Sequence, residues 1–300
     1  MLLIGEHGDY PHNEFEQHMY PRRYMFEQIC GVFASSGRSV PVFCDKHLSY
    51  NWDGANWMYE RAKALEVPFM AGSSLPTCWR QPFLEHTLDM SLESAIGIGY
   101  GGVESYGFHA LETLQCMTER RQGGESGVVA IQCLEGETVW EAAETGQWSM
   151  ELADAACAQI KNRPDKTINE GCPNPTLFLI EHRDGFHSAV LMLNGYVTDF
   201  AYAGKHGDNI YATEFYLQNG PPHAHFSYLS LNIEEMFVTG TPQYPVERTL
   251  LTTGILDAIM HSRAQGNIRL QTPHLAELAY RSYDHTLIRP TAPRPEGATL

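Results

Sequence analysis

The chain has 300 residues, of which 43% are hydrophobic and 19% charged, the composition of a globular protein with one large or two ordinary domains. A compact chain of this length buries roughly 75% of its unfolded surface and needs no covalent staples. The formal net charge of −16 argues against a nucleic-acid partner, which requires a basic face, and against an anionic membrane surface.

The seven cysteines (Cys30, Cys44, Cys78, Cys116, Cys133, Cys157 and Cys172) are odd in number, include no C-x-x-C pair and mostly lie in apolar surroundings. They read as reduced, buried thiols of a cytoplasmic protein. The opening "MLLIG" is too short and too uncharged for a signal peptide, and no apolar run approaches the ~20 residues of a membrane helix.

In chain order, "LLIG" at 2–5 is a short strand ended by glycine. "PRRYMFEQICGVFASSG" follows as a helix, with Pro21 in its first turn, Gly37 as its cap, and Met25, Phe26, Ile29, Val32 and Phe33 on one face. "VPVFC" at 40–44 is a strand and "DGANWMYERAKALE" a helix, with Asp53 near its cap and Ala55, Met58, Ala62 and Leu65 on its apolar stripe. "PFMAG" at 68–72 is a third strand. This alternation is a parallel, doubly wound pattern. A parallel sheet is normally covered on both faces and is seldom three strands wide. Either the chain therefore lacks an upstream half, or another chain covers that edge.

After Gly72 the pattern changes. "GFHALETLQCMTERRQGG" is a helix ended by two glycines. From Thr176 the chain reads as an antiparallel meander, with turns at Asp184-Gly185 and Asn194-Gly195 joining three strands. "ATEFYLQ" and "HAHFSYLSL" are two further strands around Asn219 to Pro222, and "PVERTLLTTGILDAIMHSRAQG" is a late helix. The expected class is α/β plus α+β. A partial parallel Rossmann-like segment over 1–72 leads into an open antiparallel sheet domain, with helices on one face, over 73–288. A proline-rich tail follows over 289–300.

Four stretches carry chemistry. "GIGYGG" at 97–102 fits the dinucleotide fingerprint G-x-G-x-x-G, but the polar "MSLESAI" precedes it and no parallel strand follows at the right distance. Its glycines read instead as sites of close backbone approach. His109 and Glu112 are three apart and share a helix face, and an imidazole titrates near neutrality, which suits a general base. Lys46 follows a buried strand at the edge where open parallel sheets bind ligands. His7, Asp9 and His12 lie just past the first strand as loop or cofactor contacts, with a metal as the weaker reading; His223 and His225, two apart on the expected strand, are a fainter metal hint.

From "VPVFCDKHLSYNWDGANWMYERAKALEVPFMAG" and "GGVESYGFHALETL" together, the chain resembles the glucose–fructose oxidoreductase and inositol dehydrogenase (Gfo/Idh/MocA) family. Asp45, Lys46 and His47 stand at that family's Glu-Lys-Pro motif, and His109 stands at its catalytic histidine. The resemblance implies an NAD(P)-linked oxidoreductase acting on a sugar, polyol or cyclitol. Lys46 would hold substrate and cofactor, and His109 would move the hydroxyl proton. Arg80, Glu104 and Glu112 are the further candidates for holding substrate; Glu6, His7 and Asp9 join Lys46 for the cofactor. The late sheet is similar to the family's substrate and oligomerisation domain, which implies a homo-oligomer. No metal is expected in the site.

The sequence departs from the family in three places. The first βαβ unit with its glycine-rich turn is missing, as if the chain began roughly one hundred residues late in such a domain. His47 replaces the motif's proline, and Ser105 stands where an aspartate precedes the histidine by four. Glu104 is adjacent to Ser105 but points about 100° away on a helix. A truncated or divergent member is thus the expectation. The alternatives are a non-catalytic binding or assembly module, and a metal-dependent lyase or hydrolase using His7 and Asp9.

Overall fold

The computed structural model describes residues 1–5, 8–218, 220–221 and 223–287. Glu6, His7, the turn residues Asn219 and Pro222, and the proline-rich tail lie outside the described residues.

The first three strands, β1 (Leu2–Leu3), β2 (Val42–Asp45) and β3 (Phe69–Gly72), form a parallel sheet in the order β1-β2-β3. Helix α1 (Arg22–Ser36) joins β1 to β2, and α2 (Trp52–Ala64) joins β2 to β3. Gly37 ends α1 in the left-handed conformation, as the sequence predicts. The buried face of α1 is Phe26, Cys30 and Phe33, while Val32 points to solvent, because only residues at helical spacing from Phe26 meet the sheet. Asn51, rather than Asp53, caps α2: its side chain accepts from Gly54 N at 3.0 Å, and Asp53 sits in the first turn.

A 3₁₀ turn at Leu75–Thr77 leads into a second sheet. Its elements are β4 (Trp79–Gln81), β5 (Ser94–Gly99), α3 (Ser105–Thr118), β6 (Val128–Glu135), α4 (Glu137–Glu144), α5 (Met150–Cys157), α6 (Ile168–Gly171), β7 (Thr176–His182), β8 (His187–Met192), β9 (Phe200–His206) and β10 (Asn209–Tyr216). A 3₁₀ turn at Ala224–Phe226, α7 (Ser227–Thr239), α8 (Glu247–Ala264), β11 (Leu270–Gln271) and α9 (Pro273–Ala276) complete the described chain. Eight strands pair in the order β11-β6-β7-β8-β5-β9-β10-β4.

The class is as expected: a short parallel sheet, then a larger sheet with helices. Its details differ in three ways. The predicted meander is interrupted, because β5 inserts between β8 and β9, parallel to β8 and antiparallel to β9. The sheet is therefore mixed. Helices cover both faces rather than one. Along β5, Ala95 joins the core shared with α3 and α8, whereas Ile96 and Ile98 join the core shared with α4 and α5. Finally, "HAHFSYLSL" is not a strand. It is the 3₁₀ turn and the start of α7, whose buried residues Tyr228, Leu229, Asn232 and Met236 recur at helical spacing.

Helix α7 covers one face of the narrow parallel sheet. Val42, Cys44, Phe69 and Ala71 pack against α1 and α2, while Phe43 and Met70 face Leu229 and Met236 of α7 with Tyr244 and Tyr283. Both faces are covered, one of them by a segment more than 150 residues further along the chain.

Candidate active site

The site forms where the two sheets meet. β2 and β3 end in register, Asp45 opposite Gly72. Lys46 then turns into the left-handed region at φ 67°, and its N–H donates to Gly72 O at 3.0 Å. Such a backbone costs a lysine of the order of 1–2 kcal/mol and persists only where the surroundings impose it. Its ammonium donates to Asp45 Oδ2 at 2.7 Å, a charge-assisted bond that fixes where the cation sits.

Ser73 follows β3 directly. Its Oγ lies 2.7 Å from His109 Nδ1, and it accepts from Leu75 N at 3.1 Å. A cavity of about 180 Å³ is lined by the polar residues Asp45, Lys46, Ser73, His109 and His225. Tyr100, Tyr106, Phe200 and Phe226 supply its aromatic wall, with the Tyr106 and Phe200 rings against that of His109. The two candidates Lys46 and His109 therefore share one cavity, at the C-terminal edge of parallel strands where open sheets bind ligands.

Helix α3 reaches this edge because β5 carries glycine where the helix crosses. A Cβ on Gly97 would meet Leu114 Cβ at 3.2 Å, and one on Gly99 would meet Ala110 Cβ at 2.8 Å. The glycine-rich stretch thus serves close packing of helix on strand, not a phosphate turn.

Glu112, one turn along from His109, does not line the cavity. It is fully buried and accepts from Thr252 Oγ1 at 2.8 Å and Ser73 N at 3.3 Å. Burial pushes its carboxyl up to about 7, against the pull of Arg248. It ties α3, α8 and the end of β3 together. Glu104 sits behind the cavity, 3.9 Å from His47 Nε2, and burial raises it to about 7 despite Arg22. His47 is buried against Arg22, with Nε2 2.9 Å from Nη1; desolvation, then the guanidinium, hold it well below the usual histidine range and therefore neutral.

Arg80 is not brought to the cavity. It is buried, donates to Pro76 O at 2.9 Å and Leu84 O at 3.0 Å, and stacks on Phe215. Asp9 is exposed in the loop after β1. His12 stacks on His18 at 4.7 Å, and His223 and His225 lie on the turn before α7. Among the described residues no group of three or more His, Cys, Asp or Glu is arranged to hold a metal.

Two other features have suggestive chemistry. Ser188, His182 and Glu125 form a hydrogen-bonded chain of 2.9 and 3.1 Å, but all three are buried and Arg121 occupies Glu125 from two sides. It is a structural clamp. A cavity of about 670 Å³ opens beside Trp148, but its lining carboxylate, Glu181, is already paired with Arg269. Size there is not matched by chemistry.

The sequence reading missed Ser73 and the aromatic wall, and took His225 only as a faint metal hint. Only the position of Ser73, one residue past a strand end, could have marked it.

No protein-family pattern matches the sequence, and no curated protein matches it. Solved structures do. GenD2 from gentamicin A biosynthesis, in complex with NAD, is 12% identical, with 84% of this chain and 75% of that one covered at a TM-score of 0.55. An oxidoreductase from Agrobacterium radiobacter, in complex with NAD+, L-tartaric acid and magnesium, is 11% identical over 84% and 77% at 0.52. Scyllo-inositol dehydrogenase from Lactobacillus casei, with bound NAD(H) and scyllo-inositol, is 10% identical over 84% and 78% at 0.50. The chain shares its fold with these solved structures, in line with the resemblance read from the sequence. At these identities the likeness is one of fold, and function must be argued from the site. Among the described residues no helix is long and apolar enough to cross a membrane.

Proposed function

We propose that the chain is an oxidoreductase that moves hydride between a nicotinamide dinucleotide and a hydroxyl-bearing carbon of a small polyol, sugar or cyclitol. The observation that carries this reading is the convergence of Lys46 and His109 on one cavity at the strand ends.

The residues present fit the reacting end of the dinucleotide. An ammonium held by Asp45 and an imidazole held by Ser73 face a small cavity with aromatic walls. Lys46 and the loop after β1, Asp9 included, would lie along it. A dinucleotide, when bound, supplies the hydride acceptor. The chain's own residues then do two things. Lys46 donates a hydrogen bond to the substrate oxygen and stabilises its negative charge as the C–H bond breaks. His109 takes the hydroxyl proton and returns it in the reverse direction. The aromatic wall keeps water from the reacting carbon. All seven cysteines are buried and unpaired, which fits work in a reducing, cytoplasmic compartment.

One observation favours a second reading, a non-catalytic binding module. Among the described residues no glycine-rich turn joins a parallel strand to a helix, so no cradle for a pyrophosphate is seen. Calorimetric titration with NAD(H) and NADP(H), with turnover assayed on a polyol panel, separates the two. Saturable cofactor binding, and turnover lost in Lys46→Ala and His109→Ala, supports the oxidoreductase. Absence of both binding and turnover supports the module.

A further inference from the structure

The family resemblance calls for an acid four residues before the histidine, and this chain has Ser105 there. The structure places a different partner against the ring. We infer that Ser73 is the positioning residue of His109, fixing the imidazole through Nδ1 and so setting which ring nitrogen carries the hydrogen. This rests on the proposed role of His109 as proton acceptor, but its geometry stands apart from that role.

Three contacts make the argument. Ser73 Oγ is 2.7 Å from His109 Nδ1. The same oxygen accepts from Leu75 N at 3.1 Å, which sets its rotamer. The Ser73 backbone N–H donates to buried Glu112 at 3.3 Å, and Glu112 is itself held by Thr252. Ser73 is thus fixed at both main chain and side chain, and is 2% exposed. The ring it holds stands on another element, α3, so the contact locks the end of β3 to the catalytic helix.

A hydroxyl differs from a carboxylate in one respect that matters here. A carboxylate only accepts, so it enforces Nδ1–H. A hydroxyl has two lone pairs and one proton. With one lone pair taken by Leu75, it either accepts from Nδ1–H or donates to bare Nδ1. The first state leaves the lone pair on Nε2; the second puts the ring's hydrogen there. Ser73 holds the ring's orientation in both, and the direction of its O–H sets the tautomer. Once the ring gains a proton, both nitrogens carry hydrogen and Oγ accepts from Nδ1.

The test needs neither substrate nor cofactor. Histidine ring ¹⁵N spectra of the whole chain at one pH, with the rings neutral, report the state of each nitrogen. In Ser73→Ala, the His109 Nδ1 signal is expected to move to the position of a ring without that partner. Ser73→Thr, which keeps the hydroxyl, is expected to restore it. The His86 signals, from a ring on Tyr202 Oη at 3.0 Å, serve as the control for folding. Unchanged His109 signals in a folded Ser73→Ala protein, or no restoration by threonine, overturn the inference. If Ser73→Ala does not fold, Ser73→Cys, close in size but a weak donor and acceptor, is read in the same way. Where a substrate is found, kcat is expected to fall in Ser73→Ala by up to about 10²-fold with KM held. Unaltered turnover with shifted ring signals would count against His109 as the base while leaving the positioning intact.

Discussion

The cavity is lined by two kinds of residue, held on different terms. The polar set is fixed: Lys46 by its backbone and Asp45, Ser73 by Glu112, and His109 by Ser73. The aromatic wall, from the end of β5, the start of α3, β9 and the turn before α7, is partly open. Tyr106 and Phe226 remain about two-fifths exposed. Hydrogen bonds and charge hold one set to a single geometry; shape and apolar contact define the other. Chemistry requires the first, and the second can vary with the molecule bound.

The largest expected effect breaks the polar set outright. His109→Ala is expected to cut turnover about 10²–10⁴-fold, the contribution of a general base, with far-UV circular dichroism unchanged. Gly72→Ala strikes the support behind it. Gly72 has φ 126°, and an added Cβ would lie 2.6 Å from Glu112 Oε2, so a loss of about 3 kcal/mol is expected in urea unfolding.

A third measurement sharpens the contrast through pH. Burial raises the Glu112 carboxyl from 4.5 to about 7, so between those values the folded protein holds a proton that the unfolded chain releases. Stability therefore falls as pH rises through that window and levels above it. The expected size is about 3 kcal/mol at ~1.4 kcal/mol per pH unit. Glu112→Gln is expected to remove Glu112's share of the slope when unfolding is compared at pH 5 and pH 8, while the share of Glu104, which burial also raises to about 7, remains. The smallest effect tests the aromatic wall: Tyr106→Ala or Phe226→Ala is expected to raise KM roughly tenfold with kcat little changed, the signature of lost uniform binding.

The same division governs what could be read from the chain. β2, α2 and β3 were legible because each is a local pattern with its own stop signal; Lys46 stood out by its place just past β2, and His109 by its place on α3. Gly37 fixed the end of α1 by the same local logic. The second sheet was harder. β5 reads "SAIGIG", poor in strand formers, because its glycines answer to α3 and not to the strand. Its place between β8 and β9 is a pairing across some ninety residues, which no local pattern announces. "HAHFSYLSL" alternates well enough to pass for a strand until the residues after it are counted at helical spacing. Ser73 was invisible because its partners are far away in sequence.

The left-handed turn at Lys46 has a consequence for anyone randomising this position. Two selections that usually agree will part company there. Glycine and asparagine relax the main chain and should survive a screen for soluble protein, while every replacement lacking the ammonium fails a screen for turnover. A residue branched at Cβ should fail both. Scoring one library by both criteria would show whether the cell keeps this lysine for its charge at the expense of its backbone.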